Sequence, residues 1–157
     1  MVRTGEPAPD FTAPLADGGY SSFTLSEAVG DGRIVLAFFP GAFSRGCTAE
    51  MSAFEDRLDA FQEADATVYG VSTDTVSALN AFRDELDLGF DLVSDNAKDA
   101  IHAYDVATDF DEIGATAVAD RAVFVVDEDG TVVYRWVSDE AGDLPDYDTV
   151  LDEATRA

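Results

Sequence analysis

The one cysteine of the chain, Cys47, stands in the segment PGAFSRGCTAE, residues 40–50, where residue types suited to thiol chemistry are closely spaced. An apolar run ends at Pro40, and a helical pattern of apolar residues begins at or just before Cys47. A thiol in the first turn of a helix faces unpaired backbone N–H groups and the positive end of the helix dipole. Both favour the thiolate, so we expect a lowered pKa and a nucleophilic sulfur at this position.

Neighbouring residues could assist such a thiolate. Ser44 precedes Cys47 by three residues and can direct a hydroxyl toward its sulfur or toward a ligand oxygen, and the backbone N–H groups near Gly46 are further donors. Pro40 has no N–H and can form a pocket wall without offering a competing donor. Judged by position alone, the alternative interpretation of Cys47 is a small buried apolar residue, a common role of free cysteines.

The elements that must position this segment alternate between strands and helices. Buried strands are predicted at residues 33–39, 67–73 and 90–95, with helices at 47–64, 75–86 and 97–106 between and after them, the second capped by Asp74. An N-terminal hairpin around residues 16–19, a short helix near 24–30, a hairpin at 121–137 and a terminal helix at 146–157 complete the chain. This order predicts an α/β fold with a mixed sheet flanked by helices, a thioredoxin-like domain with an N-terminal extension spanning residues 1–157.

The spacing from Pro40 to Cys47 fits Pro-x-x-x-Ser/Thr-x-x-Cys and resembles the active-site motif of the peroxiredoxins. The resemblance extends from GEPAPDFTAP, residues 5–14, to the terminal helix, and it is strongest to the alkyl hydroperoxide reductase E-type and bacterioferritin-comigratory-type branches. Arg121 opens the strand RAVFVVDEDG, where many peroxiredoxins carry a second active-site arginine. Glu50 stands where related enzymes often have an acid.

The resemblance implies a thiol-dependent peroxidase that reduces hydrogen peroxide and organic hydroperoxides through a Cys47 sulfenic acid. Arg121 would supply a fixed positive fork for the peroxide, and Ser44 and the backbone near Gly46 would donate hydrogen bonds. Glu50 would either orient an arginine or be a solvated helix acid. No cofactor is implied, and one cysteine with one histidine argues against a metal site.

The cysteine count predicts how the oxidised thiol is reduced. Some bacterioferritin-comigratory proteins carry a resolving cysteine five residues after the reactive one, but Ser52 occupies that position here. The resemblance therefore points to a one-cysteine mechanism with an external thiol or a redoxin protein as reductant. The alternative function is a thioredoxin-like single-cysteine redox sensor or thiol-binding module without turnover, and a purely structural or interaction domain is the third possibility.

Charge and hydropathy limit the partners and the compartment. With 33 acidic and 9 basic residues the net charge is -24, which argues against nucleic-acid binding and is typical of proteins from a very salty cytoplasm. The sequence has no long apolar run and no secretory leader pattern, so we expect a cytoplasmic protein that does not bind membranes. The resemblance further implies a homodimer or larger homo-oligomer.

Overall fold

The structure is a computed structural model that describes residues 2–140 and 142–155. The strands within these residues are β1 (Thr12–Ala16), β2 (Ser21–Thr24), β3 (Ile34–Phe38), β4 (Thr67–Ser72), β5 (Asp91–Ser94), β6 (Ala107–Phe110), β7 (Ala115–Ala119), β8 (Ala122–Val126) and β9 (Val132–Val137). The helices are α1 (Leu25–Ala28), α2 (Arg45–Asp56), α3 (Leu58–Glu63), α4 (Val76–Leu86), α5 (Asp99–Ala103) and α6 (Tyr147–Thr155), with a short 3-10 helix at Asp111–Ile113.

Seven of the strands form one mixed sheet in the order β2-β1-β5-β4-β3-β8-β9. Strand β3 is parallel to β4, which is parallel to β5, whereas β8 and β9 join the other side of β3 as an antiparallel hairpin. All five residues of β3 are buried, as the continuous apolar run predicts. The mixed sheet expected from the sequence is confirmed, and its central strand delivers the chain directly to Pro40.

Helices cover both faces of the sheet. Helices α2, α3, α4 and α6 pack on one face, where Met51, Phe54 and Phe82 are buried together. Helices α1 and α5 cover the other face, where Ile101 and Tyr104 join Phe124 of β8 in a second apolar cluster. Helix α2 is therefore held against the sheet along its length, which fixes the position of its first turn. Among the described residues, no helix is both long and apolar enough to cross a bilayer.

Three local features differ from the sequence-based expectations. The helix predicted at residues 47–64 is broken at Arg57, whose backbone leaves the helical region and whose side chain pairs with Asp148 of α6 at 3.2 Å. Strands β6 and β7 were not predicted; they pair only with each other, as a small second sheet. Asp74 does not cap α4, because Thr75 accepts the capping hydrogen bond from Ala78. Residues 156–157 of the predicted terminal helix lie outside the described residues.

Candidate active site

Cys47 lies in the first turn of α2, directly beyond the end of the central strand. Ser44 is the N-cap of this helix: its Oγ accepts a hydrogen bond from the Cys47 amide at 3.3 Å and donates one to the Gly41 carbonyl at 3.1 Å. The loop between Pro40 and Ser44 thereby folds over the start of the helix. The Cys47 side chain is fully buried.

Arg121, immediately before β8, brings a buried positive charge to the thiol. Its Nη1 lies 3.7 Å from Cys47 Sγ and 3.2 Å from Glu50 Oε1. Its Nε donates to the backbone carbonyl of Asp143 at 3.1 Å, so the guanidinium is held from two sides. Asp143 could not be predicted from the sequence, because a backbone carbonyl in an irregular segment has no signature in residue type.

Gly46 permits the close approach of this guanidinium. A Cβ at position 46 would lie 2.9 Å from Nη2 of Arg121, closer than real Cβ contacts allow. A larger residue would therefore push the arginine away from Cys47. Gly46 therefore leaves room for Arg121 next to Cys47, in addition to supplying the backbone donor that the sequence suggested.

Glu50 is fully buried on the same face of α2 as Cys47. Of the two interpretations left open by the sequence, this geometry agrees with an acid facing an arginine and disagrees with a solvated helix acid. Its second oxygen, Oε2, and the hydroxyl of Tyr147 on α6 are buried atoms for which the described residues provide no hydrogen-bond partner. Burial raises the pKa of Glu50 to about 8, with the charge of Arg121 acting in the opposite direction.

The groups around Cys47 shift the pKa of its thiol in opposite directions. Burial raises the pKa of Cys47 above its ordinary value, and the negative charge of Glu50 adds to this effect. Hydrogen bonding with Ser44 and with the backbone of Gly41, and the charge of Arg121, all lower it. The lowered pKa expected from the helix terminus alone is wrong, because burial outweighs it and the sequence does not reveal how deeply the sulfur is buried. The stabilisation of a thiolate therefore depends on these three neighbours.

A cavity of about 500 Å³ lies next to Arg121 and the start of α2, and the buried Cys47 is not among the residues that line it. Pro40, Ser44, Gly46 and Arg121, all predicted site residues, contribute to its wall, whereas the neighbouring Arg45 is exposed and does not. The rest of the lining consists of Gly41, Ala42, Thr73, Asp74, Phe110, Ile113, Ala115, Val118, Ser138 and Gly142. The β6–β7 hairpin thus gives the cavity an apolar side opposite the polar start of α2. In the part of the chain that the structure describes, no cluster of His, Cys, Asp and Glu is suited to hold a metal ion.

The raised pKa of Glu50 predicts a pH dependence of stability. Because the folded state binds this proton more tightly than the unfolded chain, the associated stability is fully present below about pH 4.5 and is lost as the pH rises through about 8. Glu50→Gln cannot lose a proton and avoids this loss. We expect the melting temperature of the wild type to fall relative to that of Glu50→Gln between pH 6 and pH 9, because wild-type Glu50 loses its proton in this range.

Differential scanning fluorimetry of both proteins across this range measures the effect. Glu63→Gln is the matched control, since Glu63 is an exposed helix acid and its replacement should follow the wild-type curve. Parallel curves for the wild type and Glu50→Gln would contradict a raised pKa at this position.

Comparison with known proteins relates this geometry to a family. Residues 4–135 match the AhpC/TSA family. The chain is 34% identical over 164 residues to a chloroplastic 2-cysteine peroxiredoxin of Chattonella marina var. antiqua, covering 99% of this chain and 78% of that protein. Peroxidoxin BcpB of Mycobacterium tuberculosis has a similar structure, with a TM-score of 0.86, 29% identity and coverage of 98% and 97% of the two chains.

A further similar structure is that of the bacterioferritin comigratory protein of Xanthomonas campestris, reported with that protein's alkyl peroxide reduction activity. The TM-score is 0.78 with 28% identity, and the match covers 90% of this chain and 88% of that one. These similarities agree with the thioredoxin-like α/β fold predicted from the order of strands and helices.

Proposed function

The chain belongs to the AhpC/TSA family, and from this premise we propose that it is a thiol-dependent peroxidase in which Cys47 attacks the peroxide. The observation that carries the proposal is the contact of Arg121 Nη1 with Cys47 Sγ at 3.7 Å, because Arg121 also contributes to the wall of the cavity. A buried guanidinium at this distance favours the thiolate and faces the space in which a peroxide would lie.

The proposed reaction is the reduction of a peroxide by the Cys47 thiolate. The Cys47 thiolate attacks one peroxide oxygen, and an S–O bond forms as the O–O bond breaks. The leaving oxygen departs as hydroxide or alkoxide and takes up one proton, so that the sulfur is oxidised to a sulfenic acid and the peroxide is reduced to water or an alcohol. Arg121 and the backbone near Gly46 donate to the oxygens as negative charge moves onto them, and the Ser44 hydroxyl does so when it turns from the Gly41 carbonyl. Pro40 keeps this wall free of a competing donor.

The size and the lining of the cavity support organic hydroperoxides as substrates together with hydrogen peroxide. A cavity of about 500 Å³ is much larger than two oxygen atoms need, since a water molecule in the liquid occupies about 30 Å³. Phe110, Ile113 and Val118 supply apolar surface for a carbon chain. A hydroperoxide would then point its oxygens toward Arg121 and its apolar part toward the β6–β7 hairpin.

The reduction of the sulfenic acid must come from outside the chain, since Cys47 is the one cysteine. We propose that an external thiol, either a small molecule or a redoxin, forms a mixed disulfide with release of water and that a second thiol releases Cys47. Without reductant, excess peroxide should drive Cys47 to sulfinic and sulfonic acids. Intact mass spectrometry should then show oxygen additions on a monomer-sized chain, and a dominant Cys47–Cys47 linked dimer would contradict this route.

Steady-state consumption of hydrogen peroxide and cumene hydroperoxide tests the proposed function. The assay uses the wild-type chain in molar potassium chloride with several small thiols and redoxins as reductants. Many peroxides consumed per thiol with at least one reductant is the expected result. Oxidation of Cys47 once, without turnover under any of these conditions, would instead favour the redox sensor.

We further propose that the chain works as a single domain and a homodimer or larger oligomer in a salty cytoplasm. The family resemblance supports the oligomer, and the exposed Phe43, Ile113 and Leu144 offer apolar surface for a contact. A monomer by light scattering in molar salt would refute the oligomer without affecting the chemistry. The net charge of -24 supports the high-salt environment.

High salt is expected to stabilise the fold. Because acidic charges repel one another in dilute buffer and the Debye length falls to about 3 Å at molar salt, repulsion should decrease steeply. We therefore expect the melting temperature to rise between 0.1 M and 2 M potassium chloride. A melting temperature that stays constant or falls over this range would contradict adaptation to salt.

A further inference from the structure

Asp74, in the connection from β4 to α4, is attached to the loop that covers the thiol. Its Oδ2 accepts a hydrogen bond from the Ala42 amide at 2.8 Å and another from the Ser72 hydroxyl at 2.7 Å. Since Thr75 caps α4, the Asp74 side chain is not needed for the helix terminus that its sequence position suggested. Its contact is instead with residues 40–44.

The attachment point of Asp74 is itself rigid. The fully buried Ser72 belongs to β4, and the buried Ser94 at the end of β5 donates from its hydroxyl to the Asp74 carbonyl at 2.6 Å. Asp74 is therefore held by hydrogen bonds from residues of two neighbouring parallel strands, β4 and β5. The hydrogen bond from the Ala42 amide to Asp74 in turn fixes the position of the loop of residues 40–44.

The loop needs such an attachment. Phe43 has a φ of 68°, a left-handed conformation that a bulky side chain rarely adopts, so this conformation depends on external contacts. One contact is the Phe43 ring, whose centroid lies 5.2 Å from that of Phe82. The other is the Asp74 carboxylate at the preceding residue. Together they hold Gly41 and Ser44, which are hydrogen-bonded to each other and whose hydrogen bonding with Cys47 lowers the pKa of the thiol.

We propose that Asp74 is a positioning residue for Cys47: it holds the loop of residues 40–44 in the conformation in which Ser44 and Gly41 stabilise the thiolate. Asp74 also lies in the cavity wall, but it acts through the Ala42 amide. The proposal rests on the proposed function only for its effect on peroxide reduction. Its effect on thiol reactivity is independent of any substrate.

The test is the Asp74→Ala variant with two measurements. Because Cys47 is the one thiol, the pH profile of its alkylation by iodoacetamide reports its reactivity directly. Loss of the attachment should shift that profile to higher pH and slow the oxidation of Cys47 by peroxide about 10-fold to 100-fold, as displacement of positioned groups typically does. Asp74→Asn keeps an oxygen that can accept from Ala42 and Ser72, so it should restore both values to within about threefold.

Asn96→Ala is the matched control. The Asn96 side chain donates to the Thr73 carbonyl at 2.9 Å in the same connection. Among the described residues no hydrogen bond joins it to residues 40–44, so both measurements should stay at wild-type values. An unchanged alkylation profile in Asp74→Ala, an equal shift in Asn96→Ala, or failure of Asp74→Asn to restore reactivity would each overturn the proposal. Should Asp74→Ala not fold, Asp74→Val, which also has no acceptor for the Ala42 amide, is judged by the same criteria.

The two proposals can fail separately. If the wild type alkylates at Cys47 but consumes no peroxide, the proposed peroxidase function fails while the alkylation profiles still decide the role of Asp74. If the wild type turns over and Asp74→Ala equals it in both measurements, only the positioning role is refuted.

Discussion

Replacing Cys47 with serine is expected to abolish peroxide reduction and to leave the fold intact. A serine hydroxyl stays protonated near neutral pH, and only an ionised thiolate is a competent nucleophile here. The side chain is fully buried, but serine is of similar size, and the oxygen lies near the Ser44 hydroxyl and the Gly41 backbone that already influence the thiol. Peroxide consumption should fall to the rate without protein, while circular dichroism and the size-exclusion profile should match the wild type.

Ser52→Ala is the control for a serine-related change in the same helix. It lies five residues beyond Cys47, where some related proteins carry a resolving cysteine, and its hydroxyl has no part in the proposed one-cysteine route. Its activity should equal that of the wild type. Residual turnover in Cys47→Ser comparable with this control would remove Cys47 from the chemistry.

Much of the architecture could be predicted because the elements carrying the site have strong periodic patterns. The continuous apolar run of β3 becomes a fully buried central strand, and the apolar spacing of Met51 and Phe54 becomes the buried face of α2. These two elements fix where Pro40, Ser44 and Cys47 stand. The spacing within this motif thus contained the main geometric information about the site.

The burial of Glu50 was also detectable in principle. Residues three and four apart share a helix face, so Glu50 lies between Cys47 and Phe54 on the stripe that faces the core. An acid on such a stripe needs a buried partner or a shifted pKa. The sequence could not show that Arg121 is that partner, because the two residues are 71 positions apart.

The β6–β7 hairpin escaped prediction for a different reason. Its residues are small, acidic or half-exposed, and its strands pair only with each other, so neither a buried run nor a clear alternation marks them. Yet Phe110, Ile113 and Val118 from this segment form the apolar side of the cavity. Contacts between distant loops, including the hydrogen bond from the Ala42 amide to Asp74, likewise depend on tertiary geometry that local patterns do not encode.

Replacing Arg121 with alanine is expected to slow the oxidation of Cys47 by roughly 10²-fold or more, the usual cost of losing one preorganised donor in a transition state. Two effects combine. The pKa of the thiol rises further, because the guanidinium is one of the groups that lower it, and the peroxide loses a fixed positive fork. The fold should survive, because the buried Glu50 that remains can hold a proton: burial already raises its pKa to about 8. Rapid-quench mass spectrometry of the sulfenic acid measures the rate.

Two further variants distinguish the contact between Arg121 and Cys47 from the effect of any nearby positive charge. Arg121→Lys keeps a positive charge but loses the planar fork, so its rate should lie between those of the alanine variant and the wild type. Arg45→Ala removes an exposed positive charge two residues from Cys47 and outside the cavity wall, and it should oxidise at the wild-type rate. If Arg121→Ala oxidises as fast as Arg45→Ala, Arg121 has no part in the reaction. If both slow equally, the local positive charge matters and the 3.7 Å contact with the sulfur does not.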